Sequence, residues 1–216
     1  MDPTFWRDRW RSQQIGFHQP HPNPHLVRHH GVLGAPGRVL VPLAGKSLDL
    51  PYLASLGHEV VGIELVPEAV EAFFREQDLT PARRTEGAVE RFEAGALTFL
   101  CADIFAVTPA HVGAVSAVYD RAALVALPPP SRKAYAAQIQ TLAGPHAPVL
   151  LVTLEGTPDD GAGPPFVVGE AEVHALFGEA RSIEPLETVD TLAESPRLRD
   201  RGFLQATERV FALSPR

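Results

Sequence analysis

Short apolar runs recur along the chain at helical-length intervals. Arg38-Val39-Leu40-Val41-Pro42-Leu43 is bounded by Gly37 and Gly45, and Glu59-Val60-Val61-Gly62-Ile63-Glu64 repeats its character. Such runs between turn signals predict buried strands. Between them Leu48, Leu50, Leu53, Ala54 and Leu56 fit a helix closed by Gly57, which makes a right-handed unit of parallel strands. The alternation continues with a helix opened by Pro67 that carries Val70, Phe73 and Phe74, then strands over 96–101 and 115–119, a helix over 131–142 and a fifth strand over 148–154. A short helix over 171–177 is followed by stretches over 183–189 and 203–213 that alternate apolar and polar residues, as antiparallel edge strands do.

The pattern therefore predicts a doubly wound α/β fold: a mostly parallel sheet of seven strands with antiparallel C-terminal edge strands. Two segments stand outside it. Residues 1–35 hold Trp6, Trp10, Phe17 and a group of histidines but no strand-like run, which predicts a helix and loop packed over the sheet as a lid. Residues 80–95 are polar and lie between a helix and a strand, and read as a surface insertion.

Composition narrows the function classes. The 216 residues, 45% hydrophobic and 21% charged, suit one folded domain over 1–216 rather than a disordered chain. A net charge of −7 gives no broad electrostatic footprint for nucleic acid. Cys101 is the single cysteine, so no intrachain disulfide or cysteine-rich zinc site forms, and the cytoplasm is the expected setting. Charges in Met1-Asp2-Pro3-Thr4-Phe5-Trp6-Arg7-Asp8 oppose a signal peptide, and no apolar run suits a membrane span.

In an open parallel sheet, ligands bind beyond the carboxyl ends of the strands, so the residues leaving each strand carry the chemistry. The first strand leaves into Leu43-Ala44-Gly45-Lys46-Ser47, the second ends at Glu64, the third runs into Asp103-Ile104, and the fourth ends at Tyr119-Asp120-Arg121. Glu64 follows Gly45 at the offset where an acid takes a ribose hydroxyl pair in nucleoside-binding folds; a solvated strand-end acid is the plainer alternative. Asp103 suits either an adenine amino group or a helix cap. Gly45-Lys46-Ser47 lacks the earlier glycine of a phosphate loop, where Leu40 stands, and G-x-G-x-x-G is absent. A nucleoside without phosphates fits better, and S-adenosylmethionine is one, with close backbone approach at Gly45.

His18, His21, His25, His29 and His30 invite a metal test. Pro20, Pro22 and Pro24 prevent a regular helix through them and no carboxylate sits among them, so a His- and Pro-rich loop without metal is expected. Trp6 and Trp10, four apart, share a helix face and serve either core packing or a lid.

Taken together, Phe5-Trp6-Arg7-Asp8-Arg9-Trp10 with Ile15-Gly16-Phe17-His18, Val41-Pro42-Leu43-Ala44-Gly45-Lys46-Ser47-Leu48-Asp49, Gly57-His58-Glu59-Val60-Val61-Gly62-Ile63-Glu64, Tyr119-Asp120-Arg121-Ala122-Ala123-Leu124-Val125-Ala126-Leu127-Pro128 and Gly163-Pro164-Pro165-Phe166 resemble the thiopurine S-methyltransferase family in order and spacing. The resemblance implies a Rossmann-like class I methyltransferase that uses S-adenosylmethionine and releases S-adenosylhomocysteine. By position it assigns cofactor contacts to Trp6, Trp10, Phe17, Leu43, Glu64, Asp103, Ile104 and Arg121. It also places Arg121, as the catalytic group, with Phe17 and Phe166 at the substrate pocket; an ion pair of Arg121 with Asp120 is the alternative. Two departures touch substrate choice: Ala44 stands where cysteine is frequent, and Gly156 follows Glu155 where bacterial relatives tend to carry an aromatic residue.

The expectation is thus a monomeric methyltransferase acting on an aromatic or heterocyclic thiol or a selenium or tellurium species, with halide or thiocyanate as the alternative nucleophile. An oxidoreductase using a nicotinamide, and a non-catalytic nucleoside-binding protein, are the rival classes.

Overall fold

The computed structural model describes residues 3–157 and 163–216. Five parallel strands form the centre: β1 (Arg38–Val41), β2 (Glu59–Glu64), β5 (Leu97–Cys101), β6 (Ala117–Arg121) and β7 (Val149–Thr157). Antiparallel strands β3 (Ala82–Glu86) and β4 (Val89–Ala94) extend one side, and β8 (Arg181–Asp190) and β9 (Gln205–Pro215) the other. The order β3-β4-β5-β2-β1-β6-β7-β9-β8 puts the reversal of winding between β1 and β6, the point at which an open sheet offers a crevice.

The seven expected strands are present, but the described sheet has nine. Residues 80–95 are not a bare surface insertion. They form the β3–β4 hairpin, closed by Gly87-Ala88, and Gly95-Ala96 turns β4 back onto β5. The cause is Phe92, which is fully buried against Phe74 and opposite Phe99; burying one such ring contributes about 1.5–3 kcal/mol. Outer strand β3 is exposed and carries Arg83, Arg84 and Glu86, whereas the opposite outer strand, β8, contains Pro185 and shifts register between Pro185 and Glu187. The fourth strand also starts later than its hydrophobic run suggests, at Ala117 opposite Val39 of β1, and ends later, because pairing with β7 runs through Arg121 and Val152 and keeps Asp120 and Arg121 inside the strand.

Side chains alternate between two cores, as strand geometry requires. Val39 and Val41 face one core with Leu50 and Leu53 of α3 (Asp49–Ser55), Phe73 and Phe74 of α4 (Pro67–Glu76) and Leu26 of α2 (Pro24–His29). Leu40 faces the other with Tyr135 and Ile139 of α6 (Pro129–Ala143) and Val173 and Phe177 of α7 (Glu170–Phe177), while α5 (Pro109–Val112) adds Val112. Helix α1 (Pro3–Arg11) lies outside both cores and packs through Trp10 on Val66 and Ala69 at the start of α4, and α8 (Pro196–Asp200) buries Leu198. Among the described residues, no helix is long and apolar enough to cross a membrane.

Candidate functional site

The chain leaves β1 through a turn in which Leu43 (φ 48°) and Gly45 (φ 55°) take left-handed conformations. Glu64, at the end of β2, fixes this turn. Its Oε2 accepts from Gly45 N at 2.8 Å and its Oε1 from Val66 N at 2.8 Å. Burial pushes the Glu64 carboxyl up, opposed by those backbone donors. Each oxygen retains a second lone-pair direction, so the group is still able to accept from two further hydroxyls.

The exit of β6 is built by a second buried acid. Asp120 accepts from Tyr135 Oη at 2.6 Å and from Leu124 N at 3.2 Å, and burial pushes it up to about 6. It therefore does not pair with Arg121. The Arg121 guanidinium donates instead to the Phe17 carbonyl at 2.9 Å and ties the N-terminal segment to the strand end. Ala122, next in the chain, has φ 64°, a conformation disfavoured outside glycine and frequent where a site imposes it.

Above these exits lie the aromatic residues of the N-terminal segment. Phe17 meets Trp6 and Trp10 edge to face, with ring centroids 5.9 and 5.7 Å apart. A Cβ on Gly45 would stand 3.3 Å from the Trp10 ring and 3.8 Å from Phe17, so the turn lets the rings rest directly on the backbone. Gly16 makes the corresponding room on the other side: a Cβ there would overlap the Arg197 guanidinium, 0.7 Å from Nη1.

Trp6, Trp10, Phe17, Leu43, Gly45, Glu64 and Arg121 thus converge on one cavity of about 360 Å³, within the usual range for small-molecule sites. Asp103, Ile104 and Phe166 are not among its lining. Asp103 caps the short turn Ile104–Ala106 by accepting from Phe105 N at 3.0 Å, and Ile104 is buried in the core. The neighbours Pro164 and Pro165 reach the cavity, whereas Phe166 bonds through its N–H to Val125 O and lies under the Arg132 guanidinium.

Four further charged residues of the cavity have no role assigned from the sequence: Arg9, Arg197, Arg201 and Glu208. Arg9 belongs to the segment expected as a lid, whereas Arg197, Arg201 and Glu208 come from C-terminal segments that only the folded chain brings to the cavity. The histidines also differ from a plain loop. His25, buried, lies 2.8 Å through Nδ1 from Glu187 and 3.0 Å through Nε2 from Glu208, and His29 also reaches Glu187. Those carboxylates come from distant strands, which is why the local sequence shows none. Among the described residues, no group of histidine, cysteine and acidic side chains is arranged to hold a metal ion.

Comparison with known proteins gives a consistent picture. The family model described as Thiopurine S-methyltransferase (TPMT) matches residues 1–216. A thiopurine S-methyltransferase of Pseudomonas fluorescens (strain SBW25) is 47% identical over 215 residues, covering 99% of each chain. One from Xanthomonas axonopodis pv. citri (strain 306) is 44% identical over 218 residues, covering 100% of each. Among solved structures, the 1,6-didemethyltoxoflavin-N1-methyltransferase of Burkholderia thailandensis, with 1,6-didemethyltoxoflavin and S-adenosylhomocysteine bound, superposes with a TM-score of 0.67 at 16% identity, over 99% of this chain and 87% of that one. A SAM-dependent methyltransferase from Anabaena variabilis gives a TM-score of 0.66 at 14% identity, over 99% and 95%. The fold is that of Rossmann-like methyltransferases.

Proposed function

Because this chain belongs to the thiopurine S-methyltransferase family, we propose that it moves the methyl group of S-adenosylmethionine to a soft anionic nucleophile, an aromatic or heterocyclic thiol or a selenium or tellurium species. The observation that carries this reading is the placement of Glu64 and Arg121 on one cavity beneath the Trp6, Trp10 and Phe17 rings. An acid suited to a ribose and a cation suited to an anion stand on either side of β1, with no phosphate-cradling loop between them.

When bound, S-adenosylmethionine supplies an electrophilic methyl group on a cationic sulfur. Glu64 accepts from the two ribose hydroxyls through its remaining lone pairs, and the turn at Gly45 allows the nucleoside to approach the backbone. Asp103 is two residues beyond Cys101, the partner of Glu64 across β2 and β5; its Oδ2, without a partner among the described residues, suits the adenine amino group. Leu43 shapes the apolar side of that subsite, backed by the core cluster that contains Ile104. Trp10, presented by α1, offers a ring face to the sulfonium, a contact contributing about 0.5–2 kcal/mol.

Arg121 faces the nucleophile and favours its anion over the neutral acid. Residues 3–20 act as a lid, with Arg121 holding the Phe17 carbonyl so that closure excludes water from the reacting pair, whereas residues 24–33 of the expected lid are fixed in the core through Leu26 and Leu33. Phe166 supports the substrate wall through Pro164 and Pro165. Alignment and proximity then provide the catalysis, and the proton of an unionised thiol leaves to solvent before transfer. The whole chain works as one methyltransferase unit.

A methyl-transfer assay over thiopurines, thiophenols, selenite and iodide, with products identified by mass, tests the reading. Methylation of thiols or selenite is the expected result. Turnover confined to iodide would move the protein to halide chemistry, and no turnover on any of them would refute the proposal.

A further inference from the structure

Two carboxylates line the cavity among the described residues, and only Glu64 has a task in the reading above. The other is Glu208. It lies on β9, opposite Leu154 of β7, on the side of Arg121 away from Glu64. Its Oε2 is held 3.0 Å from His25 Nε2, while Oε1 has no partner among the described residues, and the side chain keeps 26% exposure. His25 is in turn gripped by Glu187 of β8, which also binds Arg28 and His29 of α2.

This framework sets the state of the carboxylate. Burial raises the Glu208 pKa, but the His25 hydrogen bond and the nearby Arg121 charge outweigh it and hold the group below its ordinary range; Glu187 acts weakly in the opposite sense. Such a group is a poor proton acceptor and a permanent hydrogen-bond acceptor. When a substrate displaces water, an ionised oxygen left without a donor is costly, so the site favours ligands that bring one. A site built around such an acceptor also rejects analogues that lack the donor.

We propose that Glu208 is a specificity residue of the methyl transfer, whose free oxygen accepts a ring N–H of the substrate, so that the cavity selects heteroaromatic thiols bearing that donor over carbocyclic thiols. The inference rests on the thiol reading above. Arg121 and Glu208 then read opposite sides of one substrate: the anionic sulfur and the ring donor. His25 keeps Glu208 in place without touching the substrate.

The test uses the full chain with S-adenosylmethionine saturating, and compares 2-mercaptobenzimidazole, which has ring N–H groups, with 2-naphthalenethiol, which has none. In Glu208→Ala the KM for 2-mercaptobenzimidazole should rise about tenfold, while the KM for 2-naphthalenethiol, no longer opposed by a carboxylate it cannot satisfy, should fall severalfold, with kcat for each within about twofold. Glu208→Gln keeps the bulk and removes the charge; it should show the same selective rise in KM, and carries the comparison where the alanine variant does not fold. Equal changes for the two thiols would show that Glu208 acts only through the scaffold and would overturn the inference. A wild-type chain that methylates neither thiol overturns the thiol reading and this inference with it, a result visible before any variant is made.

Discussion

Replacing Glu64 with Gln keeps the shape of the side chain and takes away its charge and one acceptor. Both carboxylate oxygens already accept from backbone, Gly45 N and Val66 N, each at 2.8 Å. The amide must therefore aim its NH2 group at one of these N–H groups, and the ribose hydroxyl on that side loses its acceptor. A hydrogen bond to a charged group contributes about 1.5–3 kcal/mol, so S-adenosylhomocysteine should bind roughly 10- to 100-fold more weakly. The orphaned backbone donor is present with and without ligand; it lowers the melting temperature but largely cancels from the affinity. Isothermal titration beside a thermal melt separates the two effects. The pH arm sharpens the test. Ribose hydroxyls favour the ionised carboxylate, whose pKa in the free protein is raised by burial, so wild-type affinity should fall as pH drops through that raised value. Glu64→Gln should lose that dependence. A folded variant that binds within twofold of wild type at every pH would remove Glu64 from the nucleoside site.

Three further outcomes follow from the same geometry. Arg121→Ala should reduce single-turnover rates for every thiol by releasing Phe17, and reduce them further for thiols of high pKa that need the cation to ionise, with Arg121→Lys recovering part of the second effect; a uniform loss across the thiol series would leave Arg121 a tether alone. Backbone amides of residues 3–20 should gain protection from hydrogen exchange when S-adenosylhomocysteine is added, since the lid rests on the rim of the cavity, and equal protection in both states counts against a lid. Asp120→Asn probes the acid that burial pushes up to about 6. A raised carboxyl favours the fold at low pH and loses that benefit as pH climbs from the unfolded value through about 6. The variant should thus gain on wild type by about 3 kcal/mol between pH 4 and pH 8 in denaturant melts, and a flat difference across that window would refute the assignment.

The site was legible where local sequence fixes position and illegible where the fold alone does. Glu64 and Arg121 end strands whose apolar runs are plain, and the winding rule places such ends at the crevice. Gly16 was visible as part of a motif, but its reason, the Arg197 guanidinium, sits far along the chain. His25 looked like part of a proline-rich loop because its partners, Glu187 and Glu208, lie 162 and 183 residues away. The β3–β4 hairpin is hidden in the sequence for another reason. Its strands carry no large apolar side chain except Val89 and Phe92, which face opposite cores, so the alternation is too weak to outweigh composition. Gly87 and Gly95, which bracket a strand-length segment, were the available signal.

The two rims of the sheet have a consequence for how copies of this chain meet. A bare strand edge is a template for another chain, and proteins blunt it with charge, proline or a bulge. At one rim β3 presents Arg83, Arg84 and Glu86 to solvent. At the other, Pro185 lacks an N–H and the adjacent register shift bends β8 out of flat alignment. Charge blunts one rim and a broken row of donors and acceptors the other, so the chain is protected at both ends from growing into a continuous intermolecular ribbon, even though the interior of its described sheet of nine strands is rich in valine and leucine.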